Sequence, residues 1–199
     1  MKIAVISPKV PKDVRKLINL NEYKIYAVDA AVNELTNQSI NIDLAIGDFD
    51  SLKDKSLLTN LKTIKLSKEK DDSDTAYALR HAYQQTDEVV LIGGIHSKRV
   101  DHLLANIMLL EKYPSLVIMD DNNLIRRYDE GNYLINKNNY KYLSLFPITN
   151  ARLNINNTLY ELNNYELYRF DVLGLSNEII KKQAILNLLE GTLLVIQSN

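Results

Sequence analysis

Six short apolar runs alternate with helix-patterned segments over about the first 120 residues, and the alternation then stops. Lys2–Ser7, Lys24–Asp29, Ile42–Ile46, Thr63–Leu66, Glu88–Gly93 and Leu116–Met119 read as strands. Several are continuously apolar, as strands covered on both faces must be. Pro11–Leu20, Ala31–Thr36, Ser51–Leu61, Asp74–Gln84 and Asp101–Lys112 read as helices between them. This order predicts an α/β N-terminal domain with a mostly parallel sheet and helices on both sides. Such folds bind ligands beyond the carboxyl ends of the strands, above all where the strand order reverses.

From Leu124 onward, strand-like stretches follow one another without helices. They are Leu124–Tyr128, Asn132–Asn136, Tyr140–Phe146, Ala151–Ile155, Leu159–Leu162, Glu166–Val172, Ala184–Leu189 and Thr192–Gln197, punctuated by Asn, Gly or Pro. Strict alternation in Leu153-Asn154-Ile155-Asn156 marks a sheet with one wet face. A C-terminal all-β sandwich domain is predicted. The domains run 1–122 and 123–199, divided by a change of pattern rather than a linker.

Composition narrows the function classes. With 199 residues the chain can bury a core. Its formal net charge of −1 supplies no basic field for nucleic acid. No apolar run reaches membrane-spanning length, and the N-terminus enters a strand instead of a signal peptide. The absence of cysteine excludes disulfides and thiolate metal sites, which fits a cytoplasmic protein.

The chemistry is concentrated in six aspartates forming three clusters: Gly47-Asp48-Phe49-Asp50-Ser51, Asp71-Asp72-Ser73-Asp74-Thr75 and Arg99-Val100-Asp101-His102. Each lies where an apolar run ends or a helix begins. Taken singly, each is equally a set of helix caps or a turn. Taken together, three acidic segments at one sheet edge call for a cation, because carboxylates about 4 Å apart repel by roughly 4 kcal/mol at an effective dielectric near 20. Oxygen-only ligands suit Mg²⁺, with Mn²⁺ the alternative, and such an ion commonly shares its shell with phosphates. Arg99 and Lys98 supply opposite charge for an anionic substrate. His102 is placed to relay a proton or to pack at the helix start. Asn106 shares a helix face with it. Neither Gly93-Gly94 nor any other segment matches a P-loop or dinucleotide fingerprint.

The order of motifs resembles the thiamine pyrophosphokinase family. That pattern runs Asp-Gly-Gly, Gly-Asp-x-Asp-Ser, Lys-Asp-x-Thr-Asp, Gly-Gly-Arg-x-Asp-His, a Ser-Leu-Phe-Pro strand and Ser-Asn-Glu. The counterparts are Asp29-Ala30-Ala31, Gly47–Ser51, Lys70–Asp74, Ser97-Lys98-Arg99-Val100-Asp101-His102, Ser144-Leu145-Phe146-Pro147 and Ser176-Asn177-Glu178. Ala30, Ala31, Ser97 and Lys98 replace family glycines, positions often reserved for φ > 0 or close ligand approach. Ser73 replaces a threonine and keeps its hydroxyl.

The resemblance implies transfer of a diphosphate from ATP to thiamine by a homodimer. It implies Asp48, Asp50, Asp71 and Asp74 as metal ligands, and Asp71, Asp74, Arg99 and Asp101 as catalytic groups. Asp101 would orient or deprotonate the hydroxyl, with Asp71 as the runner-up. Nucleotide contacts would come from Asp29, Ser51, Ser73, Thr75, Lys98, Arg99 and His102. Thiamine contacts would come from Asp74, Asp101, Asn106, Ser176 and Asn177. Two alternatives stand beside this reading. Asp48-Phe49-Asp50-Ser51-Leu52 resembles the aspartyl-nucleophile loop of metal-dependent phosphohydrolases of the haloacid dehalogenase superfamily, and the replaced glycines motivate a catalytically weak thiamine or nucleotide binder.

Overall fold

The computed structural model describes residues 1–67, 69, 71–95 and 99–199. It divides into two units, Met1–Asp121 and Asn122–Asn199, each with its own core.

In the first unit, six strands form a parallel sheet: β1 (Lys2–Ile6), β2 (Tyr23–Val28), β3 (Leu44–Gly47), β4 (Thr63–Lys65), β5 (Val89–Ile92) and β6 (Val117–Met119). Their order across the sheet is β4-β3-β2-β1-β5-β6. The chain builds outward from β1 to β4, returns, and continues on the other side of β1. Strand order therefore reverses between β1 and β5.

Three of the five crossovers carry an α-helix: α1 (Ala31–Asn37), α2 (Asp74–Tyr83) and α3 (Val100–Lys112). Alternation along β1 explains why both sheet faces need cover. Ala4 and Ile6 join the core cluster containing Ala31, Val32 and Leu35 of α1. Ile3 and Val5, equally buried, point to the opposite face. Helix α2 packs on β1, β2, β5 and α3, burying Ala78, Leu79 and Ala82. Its N-terminus is fixed by Ser73, whose hydroxyl accepts from the Ala76 N–H at 3.1 Å.

Two expected helices are absent as such. Pro11–Leu20 yields two short 3₁₀ turns, Val14–Lys16 and Leu20–Glu22. Asp13 and Asn19 each accept from the N–H two residues on, so local caps start a new turn twice instead of extending one helix. Ser51–Leu61 yields only a 3₁₀ turn at Lys55–Asn60, started by Asp54 accepting from the Ser56 N–H at 2.9 Å. Leu57, Leu58 and Leu61 still pack on the core, so the apolar spacing reported burial correctly and the element wrongly.

The second unit contains β7 (Asn123–Tyr128), β8 (Gly131–Asn136), β9 (Tyr142–Pro147), β10 (Ala151–Asn156), β11 (Leu162–Leu167), β12 (Gln183–Glu190) and β13 (Leu193–Ser198). Antiparallel pairing gives β7-β13-β9 and β11-β10-β12-β8. Leu145, Leu193 and Val195 from the first sheet share a core with Leu153, Ile155, Leu186 and Leu188 from the second. This is the expected antiparallel β architecture. The two strands expected at Leu159–Leu162 and Glu166–Val172 are instead the single β11. Asn164 takes φ 46°, and the register slips between Leu153 and Ile155, which lets one strand span both patterns.

Candidate active site

Beyond the carboxyl ends of β1 and β5, where strand order reverses, lies a cleft of about 670 Å³. One wall comes from Ser7, Pro8 and Lys9 after β1, and from Val28 and Asp29 at the end of β2. Ser73, Asp74 and Thr75 open α2 on another side, and Gly94, Arg99, Asp101, His102, Ala105 and Asn106 complete it from β5 and α3. The N-terminus of α2 thus opens on a space edged by carboxylates.

The acids converge unevenly. Ligand oxygens of Asp29, Asp48 and Asp74 all lie within 4.8 Å of one another. Asp29 is held where β2 ends by its N–H donating to the Ile46 carbonyl at 2.9 Å, and its φ is 49°. Aspartate tolerates that left-handed conformation better than most residues. One carboxylate oxygen of Asp29 accepts from the Ser51 hydroxyl, while the other, Oδ1, is buried without a hydrogen-bond partner. A buried carboxylate oxygen left so is costly unless a cation or donor reaches it. Asp48 and Asp50 flank Phe49, which sits at φ 59° with its ring in the core. The buried ring anchors the loop, and the Asp50 N–H donates to Asp48 Oδ1 at 3.0 Å. Three carboxylates so grouped, one of them with an unsatisfied oxygen, fit a hard divalent ion such as Mg²⁺.

Arg99 forks onto Asp101, with Nε 2.9 Å from Oδ1 and 3.2 Å from Oδ2. Hydrogen bonding from this guanidinium brings the Asp101 carboxyl down to about 2, so at neutral pH it is an acceptor and a feeble base. Asn106 is buried, and its Nδ2 donates to the Gly94 carbonyl at 2.9 Å. It fixes the loop after β5, whose Gly93 and Gly94 take φ 81° and 77°.

Other expected site residues lie elsewhere. Asp50 and Asp71 fall outside the three-carboxylate group among the described residues. Asp71 edges a separate hollow of about 350 Å³ with Tyr77 and the ion pair Asp72–Arg80. Lys98 lies outside the described residues. Ser176 and Asn177 belong to the second unit. There Asn177 is buried, accepting from the Tyr160 and Glu178 N–H groups at 3.0 and 2.8 Å and donating to the Tyr160 carbonyl at 2.7 Å. Ser176-Asn177-Glu178 starts no helix. Asn177 and Ile179 instead form isolated antiparallel bridges with Leu143 and Thr158. Asn177 also edges a hollow of about 370 Å³ with Leu145, Tyr160 and Leu173.

Residues 14–119 match thiamin pyrophosphokinase, catalytic domain, and residues 132–191 match thiamin pyrophosphokinase, vitamin B1 binding domain. The chain belongs to the thiamine pyrophosphokinase family. A thiamine pyrophosphokinase of Bacillus subtilis is 31% identical over 165 residues, covering 77% of each chain. The crystal structure of thiamine pyrophosphokinase from Bacillus subtilis superposes with a TM-score of 0.88 at 26% identity, covering 100% of this chain and 99% of that one. The enzyme from Geobacillus thermodenitrificans gives 0.88 at 28%, covering 100% and 98%. The Candida albicans structure, at 17% identity and 0.75 over 100% and 89%, shares the fold.

The family's glycines after the first aspartate are not missed here. Ala30 has φ −62° and ψ −11°, and Ala31 opens α1, so both are ordinary helical backbone. The left-handed residue of that loop is Asp29 itself. Sequence reasoning passed over Ser7, Pro8 and Lys9. Their only signal was position, at the end of the first strand of a sheet whose reversal point emerges only from the strand order.

Proposed function

We propose that this thiamine pyrophosphokinase family member transfers a diphosphate from ATP to the thiamine hydroxyl, releasing AMP and thiamine diphosphate. What carries the reading is the convergence of Asp29, Asp48 and Asp74 at the rim of the switch-point cleft, in a chain matching both family domains. The hydroxyl oxygen bonds to the β-phosphorus while the bond from that phosphorus to the α–β bridging oxygen breaks. The hydroxyl proton leaves to solvent or to a neighbouring base, and the bridging oxygen departs with AMP.

Asp29, Asp48 and Asp74 would hold Mg²⁺, which supplies charge neutralisation for the phosphates when bound. The chain's own part is positioning. The first turn of α2 offers N–H groups to phosphate oxygens. Arg99 sets Asp101 as a fixed acceptor for the substrate hydroxyl, and His102 stands beside it in the same cleft. A loose transition state asks little proton removal early, so an acceptor held near 2 suffices to orient the nucleophile. Ser176 and Asn177 would contribute thiamine contacts from a homodimer. A dimer gains support from the second unit's exposed Tyr168, Phe170, Val172 and Leu173, and sedimentation showing only monomer at working concentration would refute it. Among the described residues, no helix is long and apolar enough to cross a membrane. A cytoplasmic location agrees with the cysteine-free sequence.

The aspartyl-phosphate alternative requires its nucleophile after the first strand, whereas Asp48 follows β3. Incubating purified protein with Mg-ATP and thiamine and identifying the nucleotide product tests the proposal. AMP with thiamine diphosphate supports it, and ADP or inorganic phosphate alone refutes it.

A further inference from the structure

The switch-point cleft contains a cation to which none of the motifs described above assigns a role. Lys9 follows Pro8 directly after β1 and lines the cleft together with Asp29, Asp74 and Gly94. Its backbone cannot drift. A Cβ placed on Gly93 would lie 2.2 Å from the Lys9 carbonyl oxygen, so the β1 loop and the β5 loop touch with no room for a side chain between them. Gly93 accepts this contact with φ 81°. Pro8 fixes one more dihedral at the neighbouring residue. Lys9 is therefore mounted on a stiff corner, and its side chain is exposed.

The charges facing the cleft are unevenly committed. Arg99 is engaged with Asp101. None of the ion pairs among the described residues involves Lys9. An ammonium on a flexible stem, in none of these pairs, lines the cleft with Asp29, Asp74 and Asp101. Asp29 and Asp74 are already grouped with Asp48 as a candidate cation site, and Asp101 is held by Arg99. An anion entering the cleft supplies what Lys9 lacks. The N-terminus of α2 opens into the same space and favours the same sign of ligand.

We infer that Lys9 is a binding residue for the triphosphate of ATP, holding it from the β1 side while the carboxylate group holds its metal from the β2–β3 side. This rests on the diphosphate-transfer reading above. Charge-assisted contacts of this kind are worth about a tenfold or greater change in affinity.

The test measures Lys9→Met and Lys9→Arg beside the unaltered protein, by titration with a non-hydrolysable Mg-ATP analogue and by steady-state AMP formation. Lys9→Met should weaken analogue binding and raise the ATP KM by about tenfold or more. The thiamine KM should stay within about twofold, and Lys9→Arg should restore most of the affinity. Raised ionic strength should weaken the unaltered protein's binding more than that of Lys9→Met. Unchanged analogue affinity in Lys9→Met overturns the inference even if the variant melts earlier. A loss that Lys9→Arg does not recover overturns it as well, since it would reflect shape and not charge. If the unaltered protein forms no AMP, the diphosphate-transfer reading fails first, and the analogue titration still judges Lys9 as a phosphate contact.

Discussion

At the residue scale, the site is governed by carboxylates with different neighbours. Asp48 shares space with Asp29 and Asp74, so in metal-free protein each pays for the others' charge. Asp48→Asn keeps an acceptor for the Asp50 N–H and removes one of three charges. The metal-free variant should melt no lower than the parent, while the stabilisation gained on adding Mg²⁺ should largely vanish, as calorimetry with and without the ion would show. Diphosphate transfer should fall by about a hundredfold or more. Asp101 behaves oppositely because its partner is a cation. Its folded value is depressed to about 2 from 3.8. The Arg99 contact is thus fully present above the unfolded value and disappears as pH falls through about 2. Arg99→Gln should return the Asp101 carboxyl midpoint toward 3.8, read by carbon-13 NMR. A midpoint still near 2 would mean that other groups hold it down.

At the element scale, loops and helix starts carry the site while strands only aim them. The contact between the loops after β1 and β5 depends on the absence of a Gly93 side chain. Gly93→Ala combines a left-handed φ with a clash against backbone, and should cost about 2 kcal/mol or more in urea unfolding. It should also raise the ATP KM, because Lys9 rides on that contact. The acidic segments were legible because each begins or precedes an element; α2 begins where its Ser73 cap places it, and α3 begins at Val100 without a side-chain cap, placed by its apolar spacing. Pro11–Leu20 and Ser51–Leu61 were misjudged for a definite reason. Apolar spacing reports which residues face the core, whereas Asp13, Asn19 and Asp54 close local turns that a periodic pattern does not register. Ser176-Asn177-Glu178 shows the same limit of local pattern, since nothing in the sequence announces the bridges that Asn177 and Ile179 make to Leu143 and Thr158. Its asparagine side chain is consumed by backbone groups around Tyr160, a partner 17 residues away.

At the scale of the whole molecule, two cores are built by two rules. In the first unit, parallel strands buried on both faces need helices on both sides, and in the second, alternating strands face one shared interior. Leu186 is fully buried in the second core. Leu186→Ala should destabilise by about 2–5 kcal/mol in urea unfolding while leaving residues 1–121 to protect their β1 and β5 amides from exchange. Loss of protection in both units together would show that they unfold as one. The sequence alone determined the fold class, the change of architecture near residue 122 and the concentration of acids at strand ends, because hydrophobic period and capping chemistry are local properties. Which carboxylates meet was decided by tertiary structure. Strand order places β3 beside β2, which brings Asp29 beside Asp48, and β5 beside β1, which sets Lys9 against Gly93; the packing of α2 adds Asp74 to the group and leaves Asp71 at another hollow. No local pattern encodes that order, since it arises from how the whole chain buries its apolar surface.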